Sequence, residues 1–234
     1  GEAGVRLKRG ALPGSCQRKR SPMFITLEGI EGSGKTSQIQ AIARWLTAIG
    51  QDCLTTREPG GTSIGDQIRS VLLHPQNGDL APRAELLLYM ADRVQHLETV
   101  IRPALAAGKV VVCDRYFDAT LVYQGYARGL DLEMIRRLHR LTCNGLTPDV
   151  TLLLDVDPEV GLARAWRRIH NDDAHADESR FEKEALAFHR RVREGYLDLA
   201  RQEPGRFRII DAAADARTVQ TRIEAVLAGR FQAR

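Results

Sequence analysis

The sequence is poor in aromatic residues and cysteines, and it lacks long apolar runs. Aromatic residues make up only 6% of the 234 residues, whereas hydrophobic residues make up 43%, so we expect a mainly aliphatic core. No apolar run approaches the roughly 18 residues of a membrane-spanning helix, so we expect no membrane partner. The four cysteines, Cys16, Cys53, Cys113 and Cys143, show no paired spacing. That pattern argues against a disulfide framework or a zinc site and favours the cytoplasm.

The positive net charge of +4 belongs to one end of the chain. Residues 1–22 contain six of the 34 basic side chains and one of the 30 acidic side chains. The rest of the chain therefore contains 28 basic and 29 acidic side chains. The body is therefore near −1, and we expect it to bind no nucleic acid. We predict that residues 1–22 are a disordered basic extension, with Met23 as a natural start. A nucleic-acid-binding arm is the alternative for these residues.

From residue 23 onward, short apolar strand patterns alternate with helical patterns. Strands are predicted at 24–28, 53–56, 110–113, 150–156 and 207–210. Helices are predicted at 37–49, 65–73, 84–107 with a boundary or kink near Pro103, 132–143, 158–168, 180–201 and 216–228. This alternation predicts a parallel sheet covered on both faces. We find no repeat or linker within 23–230 and predict a single domain.

The strongest local signal is a phosphate-binding loop, Gly29-Ile30-Glu31-Gly32-Ser33-Gly34-Lys35-Thr36, which matches G-x-x-x-x-G-K-[ST] in full. A predicted strand precedes it and a predicted helix follows. The backbone of such a loop cradles phosphates, and the helix start adds a positive dipole end. Lys35 would contact the β- and γ-phosphates of a nucleoside triphosphate, and the Thr36 hydroxyl would bind Mg²⁺. The chain lacks the N-K-x-D motif that selects guanine.

A second group of charged residues suggests that the acceptor is itself a phosphate. Arg57, Arg69, Arg93 and Arg115 lie beside turns and predicted strand ends, and arginine forks match phosphate oxygens. A phosphate acceptor needs no strong general base, because it is largely dianionic at neutral pH. Asp114 follows a predicted strand, where it could hold Mg²⁺. Taken singly, each arginine could instead be a solvated surface group.

Four motifs in their order along the chain resemble bacterial thymidylate kinases. These are the phosphate-binding loop, Arg57-Glu58-Pro59-Gly60-Gly61, Asp114-Arg115-Tyr116 and Tyr123-Gln124-Gly125. The resemblance covers essentially residues 23–230. It implies a P-loop NTPase three-layer α/β/α fold with a five-stranded parallel sheet and a mobile lid, usually as a homodimer. It also implies transfer of the γ-phosphate of ATP to dTMP, with Mg²⁺, to give dTDP and ADP for dTTP biosynthesis.

The resemblance also implies roles for individual residues. The donor site would comprise Gly29, Glu31, Gly32, Ser33, Gly34, Lys35, Thr36 and Ser37. Arg69 and Arg115 would clamp the acceptor phosphate, and Tyr89 would stack on thymine. Arg93, Thr120 and Gln124 would read the pyrimidine edges, with Tyr123 beside them. Glu31 and Glu58 would lie beside the deoxyribose or the phosphate of the acceptor. Thr36 and Asp114 would bind Mg²⁺.

Two further features follow from the resemblance. A charged lid is expected at about 164–180, where Arg164, Arg167 and Arg168 would supply the positive charge that a Glu31-bearing loop lacks. The resemblance also implies that residues 211–215 meet adenine. The polarity of residues 171–177 by itself predicts that they are poorly ordered without ligand. Ala119 and Val122 depart from the family pattern of Ser and Ala, which leaves the fine shape of the base pocket open.

Other functions are compatible with parts of the sequence. A deoxynucleoside kinase or another monophosphate kinase could share the architecture. A P-loop ATPase or switch would bind ATP without phosphorylating an acceptor, but it leaves the 114–129 signature unexplained. A nucleic-acid-binding protein is suggested only by the basic residues 1–22.

Overall fold

Five parallel strands form one sheet in the computed structural model, which describes residues 22–171 and 177–232. The strands are β1 (Met23–Glu28), β2 (Cys53–Arg57), β3 (Val110–Asp114), β4 (Val150–Asp155) and β5 (Phe207–Asp211). Their order is β2-β3-β1-β4-β5, and every neighbouring pair is parallel. The predicted fold class is therefore confirmed. The carboxyl ends of β2, β3 and β1 lie side by side at one edge, where ligands of open α/β sheets bind.

The central strands are buried on both faces. All six residues of β1 are buried, as are the first four of β3 and the first five of β4. These strands are apolar and mostly β-branched or leucine-rich, which is the composition of parallel strands covered by helices on both sides. The buried aliphatic side chains of the sheet continue into one hydrophobic core.

Helices connect the strands. They are α1 (Lys35–Ala48), α2 (Ser63–Leu73), α3 (Pro82–His96), α4 (Arg102–Ala106), α5 (Phe117–Thr120), α6 (Leu132–Cys143), α7 (Pro158–Asn171), α8 (Leu186–Gln202) and α9 (Ala216–Gln232). Two π-helical segments, Leu97–Ile101 and Leu121–Ala127, extend α3 and α5. Among the described residues, no helix is both long and apolar enough to cross a membrane.

Local capping explains where two helices start. The Thr62 hydroxyl accepts a hydrogen bond from the Gly65 N–H at 2.8 Å, so α2 begins two residues before the predicted start. The Asp131 carboxylate accepts one from the Met134 N–H at 2.6 Å, and α6 has the predicted bounds. The other predicted strands and helices are present, with ends that agree with the prediction or are shifted by up to four residues.

Two helix predictions need correction. The helix predicted at 84–107 changes to π-helix at Leu97–Ile101 and resumes one residue before Pro103. The helix predicted at 180–201 begins only at Leu186. Its first residues form turns instead, because the Arg180 N–H bonds to the Leu73 carbonyl at 3.2 Å and its guanidinium is buried. Tertiary contacts thus override the helical preference of these residues.

Several predictions fall outside the described residues. They concern the basic extension up to residue 21, Cys16 and the lid positions 172–176. Within the described part of the chain, Cys53, Cys113 and Cys143 are free thiols, and Cys113 is fully buried, as the strand pattern predicts.

Candidate active site

The phosphate-binding loop connects β1 to α1 and holds a buried lysine. Lys35 Nζ donates hydrogen bonds to the carbonyl oxygens of Gly29 and Ile30, both at 2.9 Å, and to Ser33 Oγ at 3.2 Å. Burial, followed by repulsion from Arg115, lowers the pKa of Lys35 to about 8. An anion in the loop would therefore find a desolvated ammonium group directly beside it.

The loop also lies against the start of α7. Gly32 has a φ of +70°, a left-handed conformation that glycine adopts readily. A Cβ at Gly32 would lie 1.9 Å from the carbonyl oxygen of Gly161, and a Cβ at Gly161 would lie 2.6 Å from that of Glu31. Only glycine fits at both positions. This backbone contact couples the loop to the helix that carries the predicted lid arginines.

Glu31 lies at the centre of a buried hydrogen-bond network. Its Oε1 accepts hydrogen bonds from Arg115 Nη2 at 2.9 Å and the Tyr123 hydroxyl at 2.6 Å. Its Oε2 is 3.3 Å from Nδ1 of the fully buried His189. Burial alone would raise the pKa of Glu31, but His189, Arg115 and Lys35 together bring it far below the ordinary value. Glu31 is thus a fixed anion, and it orients Arg115 toward the loop.

Asp114 and Arg115 occupy the end of β3 beside the loop. Arg115 has a left-handed φ of 63°, and its N–H bonds to the Leu27 carbonyl of the neighbouring strand. Asp114 Oδ1 is buried without a hydrogen-bond partner, with Arg115 Nη1 4.0 Å away. Asp114 and Thr36 line the same cavity, and a buried carboxylate oxygen together with a hydroxyl fits a magnesium ion that takes its other ligands from phosphates and water.

Arg93 joins the turn after β2 to the helix after β3. Its Nε donates to Glu58 Oε2 at 2.8 Å, and its Nη2 donates to Thr120 Oγ1 at 2.9 Å and the Tyr116 carbonyl at 3.1 Å. His96 Nδ1 lies 3.0 Å from the other Glu58 oxygen. Arg93 and Glu58 are almost completely buried, so their mutual pairing offsets the cost of burying two charges.

Gln124 is held by a buried carboxylate on α3. Its Nε2 donates to Glu85 Oε1 at 2.7 Å, and Arg180 Nη1 lies 2.7 Å from Glu85 Oε2. Arg180 also donates to the Leu72 carbonyl at 3.1 Å. This network fixes Gln124 and connects the segment that begins at residue 177 to α2 and α3.

Arg69 on α2 forms an ion pair with Glu178, which lies two residues before Arg180. Its Nε and Nη2 donate to the two carboxylate oxygens of Glu178 at 2.8 and 2.7 Å. Its Nη1 donates to the Pro59 carbonyl at 2.9 Å. The side chains of Arg69 and Glu178 are 18% and 34% exposed, so the pair stands at the wall of a cavity rather than in the core.

One cavity of about 720 Å³ joins these groups. Its lining includes nearly all the predicted site residues: Glu31, Gly32, Gly34, Lys35, Thr36, Ser37, Glu58, Arg69, Tyr89, Arg93, Asp114, Arg115, Thr120, Tyr123, Gln124, Arg164 and Arg168. Gly29, Ser33 and Arg167 do not line it. Among the described lining residues, seven side chains are cationic and five acidic, a balance that suits anionic ligands.

The three predicted lid arginines on α7 differ in their surroundings. Arg164 donates to the carbonyls of Ala212 and Ala213, at 2.9 and 3.3 Å, within the predicted adenine segment. Arg167 is exposed and bonds to the Ala163 carbonyl of its own helix. Arg168 is 46% exposed at the cavity wall, 3.8 Å from Glu182. Arg168 is therefore the best placed of the three to reach a phosphate.

Some cavity residues carry no usable sequence signal. Glu178, Phe181 and Glu182 line the cavity, and His189 supports Glu31 from α8. Glu178 lies near the end of the predicted lid and the other three residues follow it, and all four meet the site only through long-range packing. The charged stretch around Glu178 predicts a lid, but it does not reveal a pairing with Arg69 across 109 positions.

Comparisons with known proteins agree with this architecture. A family model described as thymidylate kinase matches residues 27–223. A thymidylate kinase of Desulfosudis oleivorans is 57% identical over 205 residues, which cover 88% of this chain and 96% of the relative. A thymidylate kinase of Syntrophotalea carbinolica is 60% identical over 189 residues, covering 81% and 87%.

The fold agrees as well. The crystal structure of a thymidylate kinase from Ehrlichia chaffeensis superposes with a TM-score of 0.71 at 34% identity, covering 88% of this chain and 98% of that one. Sequence, fold and the placement of the motifs around one cavity lead to the same assignment. The chain belongs to the thymidylate kinase family of ATP-dependent nucleoside monophosphate kinases.

Proposed function

We propose that this chain transfers the γ-phosphoryl group of ATP to dTMP, giving dTDP and ADP on the way to dTTP. The observation that carries the proposal is the single cavity in which the phosphate-binding loop faces a second cationic group, Arg69 and Arg115. Two phosphates brought together need this charge neutralisation more than they need a base.

The transfer step requires little covalent chemistry from the protein. A phosphate oxygen of dTMP forms a bond to the γ-phosphorus of ATP while the bond from that phosphorus to the β–γ bridging oxygen breaks, and ADP leaves. The acceptor phosphate is already largely dianionic at neutral pH. Lys35 and Arg115 would neutralise the charge that accumulates on the transferred group. Arg69 would hold the acceptor phosphate in line.

The donor half of the site would hold ATP through Gly29, Glu31, Gly32, Ser33, Gly34, Lys35, Thr36 and Ser37. Thr36 and Asp114 would hold Mg²⁺ together with phosphate oxygens. When bound there, the ion would neutralise part of the negative charge of the phosphates. Arg168, with Arg164 and Arg167 near it, would approach the transferred phosphate when the lid at 164–180 closes and excludes water.

The acceptor half would recognise thymine by shape and hydrogen bonding. Tyr89 would stack on the base, while Arg93, Thr120 and Gln124 would meet its polar edge. The network supports this role, because Glu58 and Glu85 hold Arg93 and Gln124 rigidly at the cavity wall. Tyr123, bonded to Glu31, would border the sugar together with Glu58.

We also propose that residues 23–230 act as one kinase domain, in a homodimer, in the cytoplasm. Helix α2 packs against α3, and α3 packs against α6. These neighbouring helices expose the large apolar side chains Ile64, Val71, Leu87 and Leu141, which a second copy would bury. The free thiols suit a reducing compartment. Sedimentation velocity tests the assembly, and a monomeric mass at micromolar concentration would contradict it.

An acceptor panel tests the proposed reaction. With ATP and Mg²⁺, dTMP should be phosphorylated in preference to dUMP, dCMP and thymidine, and preference for any other acceptor would contradict the proposal. Lys35→Ala should lower kcat about 100- to 1,000-fold, because it removes charge from the transferred group. Gln124→Ala should mainly reduce discrimination among the pyrimidine monophosphates. Gln67→Ala, at an exposed position of α2, is the matched control.

A further inference from the structure

The guanidinium fork of Arg69 is already occupied by an anion from the protein itself. The two oxygens of the Glu178 carboxylate accept the Nε and Nη2 hydrogen bonds of Arg69, and both side chains line the cavity. A phosphate with two oxygens of similar spacing would use the same fork. The acceptor phosphate and Glu178 therefore compete for one group of donors.

We propose that Glu178 is an internal competitor that occupies the acceptor-phosphate position on Arg69 until a phosphate displaces it. This inference rests on the proposed function, in which Arg69 binds the acceptor phosphate. A dianionic phosphate outcompetes a singly charged carboxylate for the guanidinium, since it attracts that cation more strongly. A nucleoside without phosphate leaves the pair intact. The exchange thus lowers the affinity for monophosphates and leaves the affinity for nucleosides unchanged.

The segment that carries Glu178 is anchored in a way that permits the exchange. Two residues further on, Arg180 is buried, pairs with Glu85 at 2.7 Å and bonds to the Leu72 and Leu73 carbonyls. Phe181 is buried as well. Glu178 itself is 34% exposed. Its side chain can turn away from Arg69 while the anchor at Arg180 stays in place.

The test uses Glu178→Gln, which removes the charge and keeps the size of the side chain. The matched control is Glu184→Gln; Glu184 lies in the same segment, pairs with Arg128 at 2.6 Å and does not line the cavity. Dissociation constants for dTMP and for thymidine are measured by calorimetry on the full chain. KM for dTMP and kcat are measured at saturating ATP, and melting temperatures check folding.

Glu178→Gln is expected to bind dTMP about two- to fivefold more tightly, within the range for loss of a partly exposed competing ion pair. Its KM for dTMP should fall while kcat stays within twofold. Thymidine affinity should not change, and Glu184→Gln should match the unmodified protein. Unchanged or weaker dTMP binding by Glu178→Gln would overturn the inference, since weaker binding means that Glu178 positions Arg69 instead.

One additional variant separates this inference from the proposed function. If Arg69→Ala weakens dTMP binding and the protein phosphorylates dTMP, but Glu178→Gln binds no more tightly, the exchange is wrong and the proposed function stands. If the protein phosphorylates no dTMP, or Arg69→Ala leaves dTMP affinity unchanged, the proposed acceptor site fails and the exchange fails with it.

Discussion

Replacing Gly161 by alanine would place a methyl carbon 2.6 Å from the carbonyl oxygen of Glu31 and 2.8 Å from Ile30 Cδ1. Ordinary contact begins at 3.4 Å, so the backbones of α7 and the phosphate-binding loop must separate by about 0.8 Å. The Ile30 side chain can rotate, but a carbonyl oxygen in a constrained loop cannot. The substitution therefore moves the loop, the start of α7, or both.

A displacement of this size has a predictable effect on turnover. A misplacement of about 1 Å in reacting groups can cost about 100-fold in rate, so we expect Gly161→Ala to lower kcat about 10- to 100-fold. The free energy of unfolding should fall by at most about 2 kcal/mol. Overpacking lowers the free energy of unfolding by about 1–3 kcal/mol, whereas alanine in place of glycine in a helix raises it by up to about 1 kcal/mol.

The assay is steady-state kinetics with ATP and dTMP varied separately, combined with urea denaturation. Gly229→Ala on α9 is the matched control, because a Cβ there meets no atom within 4 Å. We expect this control to keep kcat and to be equally or slightly more stable. A Gly161→Ala protein with the kcat of the unmodified chain would refute the coupling between loop and helix.

Three further predictions concern charge. The pKa of Lys35 without ligand is about 8, and a bound triphosphate favours the charged form of this side chain. ATP affinity should therefore fall as the pH rises above 8. Calorimetry in buffers of different ionisation enthalpy should show that the protein takes up a proton when ATP binds. Burial raises the pKa of Asp92 to about 7, so the folded protein keeps a proton that the unfolded chain loses near pH 4, and stability declines as pH rises between these values. Asp92→Asn should therefore lose less stability than the unmodified chain between pH 5 and 8 in urea titrations. Arg206→Ala leaves the buried Asp118 carboxylate without its bidentate partner. We expect this variant to lose about 3–5 kcal/mol of unfolding free energy. Its control, Arg140→Ala, removes an exposed ion pair and should lose less than about 0.5 kcal/mol.

Each of these predictions has a contradicting result. ATP affinity independent of pH between 7 and 9 would mean that Lys35 keeps its ordinary pKa in the loop. Equal loss of stability in Asp92→Asn and the unmodified chain would assign the pH dependence to other groups. A cost of Arg206→Ala as small as that of the Arg140 control would mean that water reaches Asp118.

The sequence alone predicts the fold class and the centre of the site because these depend on local patterns. The phosphate-binding loop needs its glycines and Lys35 at fixed spacing between a strand and a helix, so the motif carries its own structural context. In a parallel sheet, polar residues that directly follow strands must meet at one edge. Asp114 and Arg115 could therefore be assigned to the site before any contact was known, and the family prediction is confirmed.

The tertiary structure decides which partners these residues meet. The pairs Arg69–Glu178 and Glu31–His189 join positions more than 100 residues apart, and no local periodicity encodes such contacts. The same holds for the turn at Arg180, where burial and bonds to α2 outweigh helix propensity. Short-range sequence patterns determine the elements and their order. Which buried side chains pair with each other is determined only when these elements pack together.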